Sequence, residues 1–84
     1  MDKEIERKIG ENIRMLREER KITQDFLATK MQVMGCDITR SAVAKIEVGQ
    51  RHLYPDEILL IKEILAVRFD EIFYGNSYKE NKKR

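Results

Sequence analysis

Residues that start and stop helices divide this chain into short segments, and they constrain its fold more than any other feature. Thr23 and Thr39 are good N-cap residues, because a threonine hydroxyl can accept a hydrogen bond from the first helical turn. Gly35 and Gly49 suit the position just after the ends of the same two helices. Pro55, the only proline, suits the first turn of another helix. With 84 residues, the chain is predicted to form one all-α domain.

Apolar residues at helical spacing predict five helices. The first spans about 2–20, the second runs from 24 to just before Gly35, the third spans 40–48, the fourth 55–65 and the last 69–73. The side chains expected to face inward are Ile5, Ile9, Ile13, Leu16, Leu27, Met31, Met34, Ala42, Val43, Ile46, Phe69, Ile72 and Phe73, and the fourth helix carries Ile58, Leu59, Leu60, Ile61, Ile64 and Leu65. The fourth helix has more apolar residues than one face requires, so we expect it to be central or partly shared with another chain.

Charge is distributed unevenly along the chain. The net charge is +2, but residues 76–84 hold four basic residues and one acidic residue. The other 75 residues hold 13 basic and 14 acidic side chains, so the body carries a net charge of −1. Any surface that binds a polyanion must therefore be local. We predict a domain at 1–75 and a basic, disordered tail at 76–84.

Several classes of protein are disfavoured. The single cysteine, Cys36, excludes an internal disulfide and fits a reducing cytoplasm. The charged N-terminal stretch is not a signal peptide, and no apolar run could span a membrane. With one cysteine and one histidine, zinc is not expected. The chain has no recognisable catalytic set, so we predict a cytoplasmic protein that is not an enzyme and uses no cofactor. His52, in a loop, is expected to be exposed, with phosphate contact as the alternative.

The third predicted helix has an unusual outer face. On a helical wheel, one side collects Ala42, Val43 and Ile46, and the opposite side collects Arg40, Ser41, Ala44, Lys45 and Val48. The outer set suits a DNA major groove, because arginine and lysine can reach guanine, serine can bond either base type, and small apolar groups can touch a thymine methyl. The alternative is a solvated face that happens to carry two cations.

Three segments resemble the Xre/Cro-like helix-turn-helix family, the lambda-repressor-like DNA-binding domains. They are IGENIRMLREERKITQDFLATKM, ITRSAVAKIEVGQR and LLIKEILAVRFDEIF, and the resemblance spans residues 9–75. It implies a five-helix bundle whose second and third helices form the helix-turn-helix unit. The connection between these two helices is longer here than is usual in the family. We expect the second helix to gain a turn, and the tilt of the third helix in a DNA groove does not follow from the resemblance.

The resemblance also implies roles for individual residues. Gln24 matches a position that contacts phosphate and braces the recognition helix, and Arg17 and Glu47 match a structural ion pair. The matching base-facing residues are Arg40, Ser41, Ala44 and Lys45, and the phosphate-contacting loop holds Gln50 and Arg51. Thr39, which starts the same helix, is included among the predicted DNA-binding residues.

Two functions remain open from the sequence. The first is a sequence-specific transcriptional regulator, a repressor, that binds double-stranded DNA at a palindromic operator as a homodimer through its C-terminal helices. The second is a protein-interaction module, such as an antitoxin or partner-binding domain, with secondary DNA binding. The apolar surplus of the fourth helix and at Phe73 and Tyr74 permits the second. Arg40 and Lys45 favour the first, because a domain without a DNA role needs no cations on that face.

Overall fold

The computed structural model describes the backbone of residues 2–82 and the side chains of residues 2–75. Within these residues the chain forms five α-helices and no strand: α1 (Lys3–Glu19), α2 (Gln24–Val33), α3 (Arg40–Glu47), α4 (Pro55–Leu65) and α5 (Phe69–Lys82). α1 packs against α3 and α5, while α2 packs against α3 and α4. The predicted all-α fold is confirmed.

Polar caps start the first three helices. One carboxylate oxygen of Asp2 accepts hydrogen bonds from the backbone N–H groups of Glu4 and Ile5, at 2.8 and 3.1 Å. The hydroxyls of Thr23 and Thr39 each accept one from the N–H three residues later, at 3.0 and 3.1 Å. Each such cap stabilises a helix start by about 1 kcal/mol. The cap residues therefore fix where α1, α2 and α3 begin, as the sequence predicted for the two threonines.

The long connection between α2 and α3 is ordered by hydrogen bonds. Gly35 adopts a positive φ of 95°, which lets the N–H of Cys36 bond the carbonyl of Met31 at 2.9 Å. The side-chain amide of Gln32 donates to the carbonyl of Ile38 at 2.5 Å, and the Ile38 side chain is fully buried. The link is thus attached to the bundle at its far end, just before α3 begins.

A single hydrophobic core joins all five helices and the connections between them. It includes Ile38 from the α2–α3 link, Leu53 from the α3–α4 loop and Val67 from the α4–α5 turn. Its buried members are Ile9, Ile13, Leu16, Leu27, Ala28, Met31, Ile38, Val43, Ile46, Leu53, Ile61, Leu65, Val67 and Ile72. No helix among the described residues has both the length and the apolar character needed to cross a bilayer.

Two residues that were predicted to lie in the core, Ile5 on α1 and Met34 at the end of α2, are exposed instead. Ile5 is 54% exposed, because the buried stripe of α1 passes through Glu6, three residues before Ile9, rather than through Ile5. Met34 is 45% exposed because it is the C-cap of α2, where the chain leaves the helix and the apolar spacing ceases to apply.

The C-terminal helices also bury fewer residues than predicted. On α4 only Ile61 and Leu65 are buried among the apolar residues, and Leu59 is exposed. On α5 Ile72 is fully buried, whereas Phe69 and Phe73 are exposed, because α5 packs chiefly against α1 and turns one narrow stripe inward. The helical backbone extends past the predicted end at 73, across a break at Gly75. The side chains of the predicted tail lie outside the described residues, so its disorder stays a prediction.

Replacement of Gly10 by alanine should destabilise the fold, because α1 and α3 approach each other most closely at this residue. A Cβ at Gly10 would overlap the carbonyl oxygen of Ile46 and lie 3.1 Å from the carbonyl carbon of Glu47. Overpacking of this kind costs about 1–3 kcal/mol, more than the gain of up to about 1 kcal/mol from the better helix propensity of alanine. Urea denaturation followed by circular dichroism measures the loss. Lys8→Ala, at an exposed position of the same helix, is the control and should change stability little. Equal stability of both variants would contradict the close crossing.

Candidate nucleic-acid interface

The outer face of α3 is open to solvent along its length. Arg40, Ser41 and Lys45 are exposed, and Ala44 is half-buried between them. On the opposite side, Val43 and Ile46 are buried in the core. The predicted division of α3 into a core side and an outer side is therefore confirmed, and its outer side carries cations beside small groups.

The two cations of this face are not compensated by any acid among residues 2–75. Among the residues whose side chains are described, neither Arg40 nor Lys45 forms an ion pair. Most other arginines of the chain are paired, for example Arg7, Arg14 and Arg17 on α1. An exposed unpaired cation keeps its full charge for an external anion.

A buried ion pair attaches the other side of α3 to α1 and α2. Arg17 donates to both carboxylate oxygens of Glu47, with nitrogen–oxygen distances of 2.7 and 3.0 Å. The two side chains are only 9% and 1% exposed. Gln24 adds a third hydrogen bond to the same carboxylate at 2.9 Å, and Arg17 also donates to the carbonyl of Ile22 at 2.6 Å. Hydrogen bonding to Glu47 raises the pKa of Arg17 above its ordinary value, so this arginine stays charged although it is buried.

The α3–α4 loop comes directly after α3 in the sequence, and hydrogen bonds attach it to both α3 and α4. Gly49 has a positive φ of 78°, and the backbone N–H of Gln50 bonds the carbonyl of Lys45 at 2.8 Å. The Gln50 side chain is exposed. Arg51 donates to both carboxylate oxygens of Glu57, at 3.0 and 3.1 Å, and the hydrogen bond with Glu57 raises the pKa of Arg51. The charge of Arg51 is thus already compensated within the chain, which the sequence did not indicate.

Comparison with known proteins places this arrangement in a family. A helix-turn-helix family profile matches residues 13–72, which is more than half of the chain and includes the whole of α2, α3 and α4. This chain belongs to the helix-turn-helix family. The resemblance to its Xre and lambda-repressor-like members is confirmed, and the helix-turn-helix unit is α2 and α3. No curated protein and no solved structure matches the chain significantly.

Two buried acids of this helix-turn-helix domain were not found by sequence reasoning. Glu57 accepts from the Arg51 guanidinium and from the backbone N–H of Tyr54, at 3.0 Å. The bond to the Tyr54 N–H could be expected from the sequence, because a glutamate in the first turn of a helix often accepts from the N-cap backbone N–H. Glu6 bonds Nδ1 of His52 at 2.6 Å and is buried, while the histidine is 67% exposed. Glu6 lies three residues before Ile9, a spacing that places both residues on the same face of α1. Because Ile5 is apolar, the sequence pattern favoured Ile5 over Glu6 for the buried stripe.

Residues with metal or redox chemistry are not assembled into a site in the part of the helix-turn-helix domain that is described. Residues 2–75 contain no group of three histidine, cysteine, aspartate or glutamate side chains that could hold a metal. Cys36 is half-buried, and burial raises the pKa of its thiol. A higher pKa leaves less of the reactive thiolate at neutral pH, which agrees with an incidental thiol.

Loss of Arg17 should destabilise the domain strongly, because Glu47 would stay buried without its cation. Arg17→Met should cost about 3–5 kcal/mol of unfolding free energy. The double variant Arg17→Met, Glu47→Leu should recover much of that loss, since it leaves no buried charge unpaired. Urea unfolding of the wild type, Arg17→Met, Glu47→Leu and the double variant gives the coupling energy between the two residues.

Arg14 provides the matched control for this experiment. It pairs with Glu18 on the same helix at 3.1 Å, but both side chains are more than half exposed. Arg14→Met should therefore cost less than about 1 kcal/mol. If Arg17→Met were as mild as Arg14→Met, the buried pair would not be what holds α3 to α1.

Proposed function

We propose that this chain is a sequence-specific transcriptional regulator that acts in the cytoplasm as a homodimeric repressor on a palindromic DNA operator. The observation that carries the proposal is the outer face of α3, where Arg40 and Lys45 are exposed and unpaired within residues 2–75. Bound at an operator, the protein would block access to the DNA that it covers. The extent of repression would then depend on the fraction of operator sites that the protein occupies.

Base reading is assigned to α3. Arg40 and Lys45 would donate to the major-groove edge of guanine, Ser41 can bond either base type, and the Ala44 methyl can contact thymine. The small side chains at positions 41 and 44 let the helix approach the base edges closely. Contacts to the phosphate backbone, which set register without reading sequence, are assigned to Gln24, Thr39 and Gln50. Arg51 is included as a hydrogen-bond donor rather than as a free charge, because Glu57 already balances its charge.

Dimer formation is supported by apolar side chains that remain exposed on α5 and on the adjacent start of α1. Phe73 and Tyr74 line a shallow groove with Ile5 and Ile9, and Phe69 is exposed one turn earlier on α5. One α3 contacts only a few base pairs, so two-fold repetition is needed for useful selectivity. A symmetric pair with its recognition helices about 34 Å apart would reach successive major grooves.

A protein partner is the second candidate function, and the same apolar groove favours it. A cognate protein with an apolar helix could cover Ile5, Phe73 and Tyr74 instead of a second copy of this chain. In that case the α3 cations would make a secondary contact with DNA. The assembly experiment below separates the two possibilities.

Arg40→Ala should weaken specific DNA binding by about 1–3 kcal/mol and relax the preference at one base pair. The reason is that removal of the guanidinium removes a contact to a base edge rather than to a phosphate. Selection of binding sites from random duplexes, followed by affinity measurement on the selected site, tests both parts. Arg14→Ala, on α1 and paired with Glu18, is the control and should keep motif and affinity. An unchanged motif for Arg40→Ala would remove this residue from the base-reading set.

Wild-type protein should be a dimer at micromolar concentration or when bound to its operator. The double variant Phe73→Ser, Tyr74→Ser should be monomeric, because it removes the largest apolar groups from the groove. Sedimentation equilibrium with and without DNA measures the assembly, and circular dichroism verifies that the variant is folded. Val33→Ser, at the most exposed apolar residue, should leave the dimer intact. A wild-type chain that stays monomeric in both conditions would exclude the dimeric operator complex and favour the partner-binding function.

A further inference from the structure

A groove that includes charged and polar residues in its lining lies between the first turn of α1 and the α3–α4 loop. Lys3 lies on one side of this loop groove, and Gln50 and His52 lie on the other. The loop passes very close to α1, since a Cβ at Gly49 would lie 3.1 Å from Cα of Arg7. The start of α1 is therefore brought beside the residues that directly follow the recognition helix, although about 50 positions separate them in the sequence.

Glu6 is the acid among the residues that line this groove, and its carboxylate bonds Nδ1 of His52 at 2.6 Å. Of the acids next to Lys3 in the sequence, Asp2 accepts the N-terminal hydrogen bonds of α1 and Glu4 is paired with Arg7 at 2.7 Å. Arg51, which also lines the groove, is held by Glu57. Lys3 is exposed and forms no ion pair among the side chains of residues 2–75. It is thus the cation of the loop groove whose charge is not compensated.

We propose that the loop groove binds a phosphate of the DNA backbone, with Lys3 supplying the charge and the Gln50 side-chain amide a hydrogen bond. The Gln50 backbone N–H is bonded to Lys45, so the amide of its side chain is the available donor. This inference rests on the proposed function: with α3 in a major groove, the loop at its C-terminal end lies beside the flanking strand, which carries a phosphate about every 3.4 Å. Lys3 is then a positioning residue and reads no base.

The salt dependence of binding tests this role, because each neutralised phosphate contributes about −0.9 to the slope of log K against log salt concentration. Untagged Lys3→Gln should have a slope that is less steep by about 0.9 per subunit, with an unchanged preferred site. Lys3→Arg keeps the charge and should keep the slope. Arg14→Gln, at an exposed position of α1 that does not line this groove, removes the same charge; it is the matched control and should also keep the slope. Sedimentation of each variant verifies equal assembly.

An unchanged slope for Lys3→Gln would overturn the inference. An equal change for Arg14→Gln would also overturn it, because it would indicate a general charge effect. A different result would contradict the proposed function: wild-type protein that selects no DNA site, with no effect of Arg40→Ala on DNA affinity. Even then the groove can be tested on a duplex of arbitrary sequence, because phosphate contacts do not depend on base identity. On that duplex Lys3→Gln should again flatten the slope, whereas Arg14→Gln should not.

Discussion

The position of the recognition helix depends on the hydrogen bonds that the Glu47 carboxylate accepts from Arg17 and Gln24. Two further buried acids act nearby in the same way: Glu6 bonds His52, and Glu57 bonds Arg51. Burial of a carboxylate costs several kcal/mol unless its oxygens are well paired, and no buried side-chain nitrogen or oxygen among the described residues lacks a partner. Any shift of α3 or of the α3–α4 loop would break hydrogen bonds of these buried carboxylates. The buried acids therefore hold α3 and the loop in one position.

Such support matters because α3 is short. A helix of eight residues is well below the roughly 12–15 residues at which an isolated helix becomes marginally stable in water. Its conformation is therefore supplied by packing of Val43 and Ile46 and by the Glu47 network, all on the inner side. The outer side has no structural role, which frees Arg40, Ser41 and Lys45 for contacts outside the domain. Stability and recognition are thus assigned to opposite faces of the same two turns.

The sequence predicts the helices well and their surroundings less well, for a physical reason. Helix starts depend on local hydrogen bonds, so Thr23, Thr39 and Pro55 give the starts of α2, α3 and α4 correctly. The identity of a buried residue depends on what another part of the chain offers. Glu6 can occupy the buried stripe of α1 in place of Ile5 because His52, from a distant loop, bonds its carboxylate. Spacing within one helix contains no information about such a partner.

The long link before α3 extends this reasoning to the geometry of the helix-turn-helix unit. The link does not leave α3 loose, since α2 ends at Val33 and Ile38 anchors the connection in the core. One end of α3 is thus fixed by Ile38 and the Thr39 cap, and the other end by Glu47. With both ends held, the orientation of α3 follows from the core and the ion pair rather than from the length of the connection. The attachment of α3 to α1 and α2 through Glu47 is therefore independent of the link, which contributes only to the surface beside the recognition helix.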